Sequence, residues 1–264
     1  MPVPFPLLSP ITNKRSFVQP SRYPRAVPVT RSDPAPQRAR EVLRRLRRAH
    51  PEARIALEFS SPLECLVATV LSAQSTDVKV NEVTRTLFSK YRRPEDYLRV
   101  PEEELQRDIH PTGFFRQKTK ALRGLSQKLL EDYDGKVPGT IAELITLPGV
   151  ARKTANIVQA NCFPEQQKKD PDAGIAVDTH VGRLAVRLGF TRHGPKEAKK
   201  MEPDLMEAFP KRAWPETTDL FIAHGRKVCE AKRPHCEECV IERLCPSSQV
   251  AGFTDLYRAA MARR

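Results

Sequence analysis

An all-α fold is what this sequence predicts, on three observations. Apolar residues recur at helical spacing, as in Ala39, Val42, Leu43, Leu46 and Ala49; the period-two alternation of a half-buried strand is absent; and the chemistry of a helix start appears twice, in Ser61-Pro62-Leu63-Glu64 and in Thr140 followed by Glu143. In both capping boxes a hydroxyl takes up an amide that the first helical turn cannot satisfy, and Pro62 suits the first helical position because it has no amide to lose. The length, 264 residues, allows two modest domains.

Taken in order, the chain opens with a stretch to about Pro36 that holds prolines at 2, 4, 6, 10, 20, 24, 28, 34 and 36. With Lys14, Arg15, Arg22, Arg25 and Arg31 against the single acid Asp33, it reads as a disordered basic arm, and the prolines spoil the amphipathic helix of an organelle presequence. A first helix from Gln37 runs until Pro51 stops it, with arginines on its outer face. Ser61 opens an apolar helix to about Leu71. Further helices fit Asp77 to Lys90, Pro101 to Ile109 and Gln117 to Tyr133; Thr140 begins a short one, and others fit Pro195 to Ala208 and Pro215 to Val228.

The formal charge of +13 points to a polyanionic partner, and nucleic acid is the natural one. No apolar run approaches membrane-spanning length, so a soluble protein without a membrane partner is expected.

Four cysteines fall within seventeen residues, Cys229, Cys236, Cys239 and Cys245, spaced C-x6-C-x2-C-x5-C. A zinc ribbon normally has two close C-x2-C knuckles, whereas here one pair is close and the other gaps are long. That spacing favours an iron-sulfur cube, whose corners lie farther apart than the ligands of one ion. A single zinc site is the next reading and disulfides the last. Cys65 and Cys162 stand apart in helical stretches and read as small buried core residues.

Leu147-Pro148-Gly149-Val150-Ala151-Arg152-Lys153-Thr154-Ala155 lies between the helix that Thr140 opens and another ending near Phe163. A helix, a tight turn and a helix are expected, with Gly149 free to take positive φ and the next amides facing outward as a seat for one phosphate. Arg152 and Lys153 add charge there. An ordinary helix-helix turn would also favour proline and glycine. Further on, Ala176-Val177-Asp178-Thr179-His180-Val181 precedes apolar residues at helical spacing, which makes Asp178 an N-cap. If Lys153 and Asp178 face one cleft, they form an amine nucleophile with a carboxylate partner.

The combination of LPGVARKTA, AVDTHV and the cysteine quartet closely resembles endonuclease III, a family of bifunctional DNA glycosylases and abasic-site lyases with a helix-hairpin-helix. Leu71-Ser72-Ala73-Gln74-Ser75-Thr76-Asp77 and Gly113-Phe114-Phe115 stand in the expected order, and the resemblance runs from about Gln37 to Pro246. It implies a six-helix barrel domain over about 55–170 with the helix-hairpin-helix, an iron-sulfur cluster domain from about 37–54 and 171–250, and a cleft between them. Residues 1–36 remain an arm and 251–264 a tail.

The resemblance also implies roles. Lys153 matches the nucleophilic lysine and Asp178 the essential aspartate, with double-stranded DNA carrying damaged or abasic sites as partner and a [4Fe-4S] cluster on the four cysteines. Gln74 matches the residue that enters the duplex as the damaged nucleotide leaves, and Phe114 the wedge beside it. Gly149, Ala151, Arg152 and Thr154 fall at the hairpin's DNA contacts, Lys232 and Arg233 in a basic loop between cluster ligands, and Asp77 and His180 at the pocket. The expected activity removes oxidised pyrimidines and cuts the strand by β-elimination, in a monomer that is cytoplasmic and nucleoid-associated if the source is bacterial, with nucleus or organelle left open. An adenine-mismatch glycosylase without the lyase, and a non-catalytic iron-sulfur DNA-binding protein, are the alternatives. Three positions depart from the pattern: Ala151 replaces a second glycine of the hairpin, Phe114 replaces a common leucine, and the loop from about Cys162 to Gly174 is longer.

Overall fold

The computed structural model describes residues 29–262, which form thirteen α-helices and, among the described residues, no strand. The helices are α1 Ala35–Ala49, α2 Pro62–Leu71, α3 Asp77–Lys90, α4 Pro94–Arg99, α5 Glu102–Ile109, α6 Phe115–Tyr133 and α7 Ile141–Leu144. They continue as α8 Arg152–Cys162, α9 Pro164–Lys169, α10 Thr179–Arg187, α11 Ala198–Ala208, α12 Trp214–Lys227 and α13 Leu256–Ala262.

The expected caps are in place. Ser61 Oγ accepts the Glu64 amide at 3.2 Å, and Thr140 Oγ1 accepts that of Glu143 at 3.3 Å. Glu64 departs from the reciprocal half of the motif: its carboxylate takes the amide and hydroxyl of Ser60, one residue earlier, at 2.6 and 2.7 Å. The helix start is thus tied by two consecutive serines.

Two separate apolar cores organise the helices. One gathers Leu66, Leu71, Leu87, Leu122, Leu125 and Val158 from α2, α3, α6 and α8. The other brings Leu43 and Leu46 of α1 against Leu184, Leu205 and Phe221 of α10, α11 and α12. An N-terminal helix therefore completes the C-terminal core. Burying a leucine or phenylalanine contributes about 1.5–3 kcal/mol, and the α1 residues Ala39, Val42, Leu43 and Leu46 are at most 2% exposed, so burial holds α1 there.

Four expectations need correction. The disordered arm to Pro36 is wrong for its last residues, while residues 1–28 lie outside the described chain: Arg31 reaches Glu242 at 3.3 Å and stacks over Phe253. This arginine finds its partners in the distant C-terminal segment, which composition does not reveal. The long stretch after Cys162 is not simply a loop, because Pro164 starts α9 and Asp170 then anchors the chain through the Ile141 amide at 2.8 Å and Gln159 at 2.5 Å. The tail likewise holds α13, fixed by an Arg187–Asp255 ion pair of 2.9 Å whose side chains are 3% and 5% exposed. Finally, Cys65 and Cys162 are not isolated: the Cys65 thiol donates to the Cys162 sulfur, lowering the pKa of Cys162 and raising its own.

Candidate active site

The turn before α8 needs its glycine twice over. Gly149 has φ 79°, and a Cβ there would lie 2.7 Å from Ala121 Cβ on α6. Ala151 makes no such demand: with φ −91° and ψ 168° it occupies the extended region open to any residue, so its methyl does not restrict the turn. No side chain caps α8, and Gly149 and Ala151 are exposed. The first α8 amides therefore face the surface with positive partial charge, the arrangement that accepts an anion. The start of α10 is closed instead, because Asp178 Oδ1 accepts the Val181 amide at 2.8 Å.

Next to the turn opens a cleft of 570 Å³. Its lining includes Lys153, Asn156 and Ile157, on one face of α8, and Thr218, Asp219, Ile222 and Arg226, on one face of α12. Asp178, His180, Gln74 and Asp77 line it as well. The structure thus brings five of the sequence-nominated residues to one cavity. Lys153 is exposed, and its amine has no hydrogen bond or ion pair among the described residues. Asp178 is committed to its helix through one oxygen.

Two charged groups frame that cavity. Asp77 meets Arg226 at 2.6 Å, which ties α3 to α12 across the opening. His180 Nδ1 lies 3.0 Å from the Arg183 guanidinium, which can only donate, so Nδ1 accepts and Nε2 carries the proton. Burial lowers the His180 pKa; Asp178 opposes that shift, and Arg183 and Arg226 add to it.

Gln74 and Phe114 both occupy left-handed backbone, at φ 53° and 47°, and both are exposed, Phe114 by 55%. Holding a non-glycine residue there costs about 1–3 kcal/mol, a strain that surrounding structure must support. The support is Lys118, a residue the sequence reading passed over. Its buried ammonium donates to Leu71 O at 2.7 Å and to Thr112 O at 2.8 Å, joining the two loops that carry Gln74 and Phe114. Burial pushes its pKa down. In sequence it is one more lysine of a basic helix, with no mark of its position.

The remaining hairpin residues divide. Arg152 turns inward, donating to Glu202 at 2.8 Å and to Asp172 O at 3.0 Å, so its charge is already paired; Thr154 is 9% exposed. Glu202 also accepts Asn156 at 2.8 Å, and a Cβ on Gly174 would fall 1.8 Å from its carboxylate. This network locks α8 against α11.

Cys229, Cys236, Cys239 and Cys245 surround a single small cavity at the end of α12. Burial pushes the Cys229, Cys239 and Cys245 thiols up, the last two to about 12, so four thiolates need strong compensating positive charge. Arg187 supplies part of it, 3.3 Å from Cys229 Sγ, and His224 Nε2 stands 3.4 Å from Cys239 Sγ. Arg187 also donates to Glu230 O at 2.6 Å and Ala231 O at 3.0 Å, so it shapes the loop on which Lys232 and Arg233 stand exposed.

Among the described residues no helix is long and apolar enough to cross a membrane. Residues 67–211 match the HhH-GPD superfamily of base excision DNA repair proteins. Endonuclease III of Synechocystis sp. is 44% identical over 215 residues, covering 81% of this chain and 94% of that protein; the Bacillus subtilis enzyme is 47% identical over 199 residues, covering 75% and 87%. Among solved structures, a non-covalent endonuclease III–DNA complex aligns with TM-score 0.73 at 40% identity, covering 82% of this chain and 97% of that one. A trapped endonuclease III–DNA covalent intermediate aligns with TM-score 0.72 at 41% identity, covering 82% and 98%. On this footing the chain belongs to the HhH-GPD superfamily and, within it, to the endonuclease III family of bifunctional DNA glycosylases and abasic-site lyases.

Proposed function

We propose that the cleft excises oxidised pyrimidines from double-stranded DNA, with Lys153 as nucleophile and Asp178 as its carboxylate partner. The observation that carries the reading is the meeting of an unpaired amine and a carboxylate, from distant parts of the chain, in one cavity beside an uncapped helix start.

The chemistry follows from the residue types. The Lys153 amine attacks the anomeric carbon, the carbon–base bond breaks, and the base leaves with the electron pair and collects a proton. The secondary amine so formed opens the sugar to a Schiff base, which acidifies the neighbouring hydrogen; loss of that proton expels the 3′ phosphate by β-elimination. Asp178 stabilises positive charge that develops on the sugar and assists proton transfer. To reach the carbon, the nucleotide must leave the stack at a cost of a few kcal/mol. Gln74 replaces lost base hydrogen bonds while Phe114 fills the neighbouring step. The amides at Gly149–Thr154 seat a backbone phosphate, and Lys232 and Arg233 meet others.

The four cysteines fit a [4Fe-4S] cluster, because all four line one small cavity and their C-x6-C-x2-C-x5-C spacing has only one close pair. Bound there, the cluster supplies a rigid cross-link, and base excision needs no electron transfer from it. The two cores are read as a barrel domain over 55–170 and a cluster domain from 37–54 and 171–250, with the cleft between. The protein is read as a monomer, cytoplasmic if its source is bacterial. Borohydride trapping on abasic duplex tests the central assignment: it should vanish in Lys153→Ala, and undiminished trapping would reject Lys153 as nucleophile.

A further inference from the structure

Asp219 stands on the cleft wall of α12 with no hydrogen bond or ion pair among the described residues, although most of it is buried. A carboxyl group withdrawn from water without a partner is costly, so native structures rarely keep one without use. Its oxygens are not sealed in protein: they are absent from the fully buried unpaired atoms, which places them at the cavity surface. The acids and bases lining the same cavity have other commitments or stand elsewhere on its walls. Asp77 pairs with Arg226, Asp178 caps α10, His180 accepts from Arg183, and Lys153 lines the cavity from α8, with Arg54 on the segment before α2.

We propose that Asp219 is a specificity residue that reads the everted base, its carboxylate accepting a hydrogen bond from a ring N–H or an added hydroxyl of the oxidised pyrimidine. The proposal rests on the reading of this cleft as the excision pocket. The sugar and its anomeric carbon belong near Lys153, so the base attached to that carbon occupies the same cavity, which Asp219 lines from α12. A carboxylate there complements the donors of an oxidised ring, and the acid repels backbone phosphate, which keeps the contact for the base alone. Burial raises the Asp219 pKa to about 6, so the accepting form prevails at neutral pH and is lost as pH falls through that value.

The test uses the cluster-loaded protein and separates base removal from strand cleavage, since a preformed abasic site has no base to read. Asp219→Asn should lower kcat/KM for release of a thymine glycol base by about 10- to 100-fold, the effect of one charge-assisted hydrogen bond. Cleavage and borohydride trapping at a preformed abasic site should stay within about twofold of wild type. Independently of any variant, the ratio of wild-type base release to abasic cleavage, which divides out the pH dependence the two reactions share, should fall as pH drops below about 6, and Asp219→Asn should flatten that ratio. Equal losses of base release and abasic cleavage, unchanged base release, or a ratio that still falls in the variant would each overturn the proposal. Failure of the cleft reading looks different: trapping would then survive in Lys153→Ala whatever Asp219 does.

Discussion

Replacing Asp219 by asparagine should make the folded protein more stable, and the gain should depend on pH in a direction fixed by the structure. Burial raises the pKa of this carboxyl from 3.8 to about 6. The native state therefore holds its proton over a range in which the unfolded chain has released it, so the contribution of Asp219 to stability falls as pH rises from about 4 to about 6. A shift of roughly two units amounts to about 3 kcal/mol at pH 8, and roughly half of that is already lost at pH 5. Asparagine keeps the shape and removes the charge. The variant should melt about 6–12 °C above wild type at pH 8 and about half as far above it at pH 5, read as paired thermal midpoints of cluster-loaded protein. A variant no more stable at pH 8, or an advantage equal at both pH values, would show that the carboxylate already has a partner, and the reasoning would fail. A protein that tolerates this cost in its cleft is exchanging stability for function.

Three other substitutions probe the frame around the site. Lys118→Met leaves the Leu71 and Thr112 carbonyls unpaired and should cost about 2–5 kcal/mol; excision from duplex should fall while cleavage of an abasic site in single-stranded DNA persists, and equal loss of both would refute a role in extrusion. Gly149→Ala combines a forbidden φ with a methyl clash on Ala121, and should weaken binding to an abasic-analogue duplex by at least about 1–2 kcal/mol at fixed salt; unchanged affinity would remove the hairpin from the interface. Asp255→Asn strands the buried Arg187 charge at a cost of about 3–5 kcal/mol, and because Arg187 also touches Cys229, visible cluster absorbance should be lost at a lower temperature than in wild type; unaltered loss would uncouple the tail from the cysteine cavity.

Local rules were enough for much of the molecule. The hydroxyls of Ser61 and Thr140 start helices where their spacing predicts, and Asp178 caps α10 as a residue of its type and position should. Residues whose meaning lies in a long-range contact were silent. Lys118 and Arg187 have the same composition signature as the solvated bases around them, yet both are buried and hold backbone carbonyls far away in sequence. Asp219 shows no motif, because what marks it is the absence of a partner in three dimensions. α9 and α13 escaped for a related reason: each is a short helix held by tertiary ion pairs and hydrogen bonds rather than by a strong apolar stripe.

The starts of α8 and α10 also bear on how an amine and an acid can share a cavity without neutralising one another. A free carboxylate near Lys153 would pair with it and hold the nucleophile away from the sugar. No ion pair joins Lys153 to Asp178, whose Oδ1 is held 2.8 Å from the Val181 amide. That bond fixes the side chain to its own helix, which limits its reach toward the amine and leaves the second oxygen for the sugar. α8 has no capping side chain, so its amides stay open in the turn in which the lysine sits. In the proposed chemistry, one structural device used in opposite senses therefore leaves α8 open to an anion and holds the acid of α10 in place before DNA arrives.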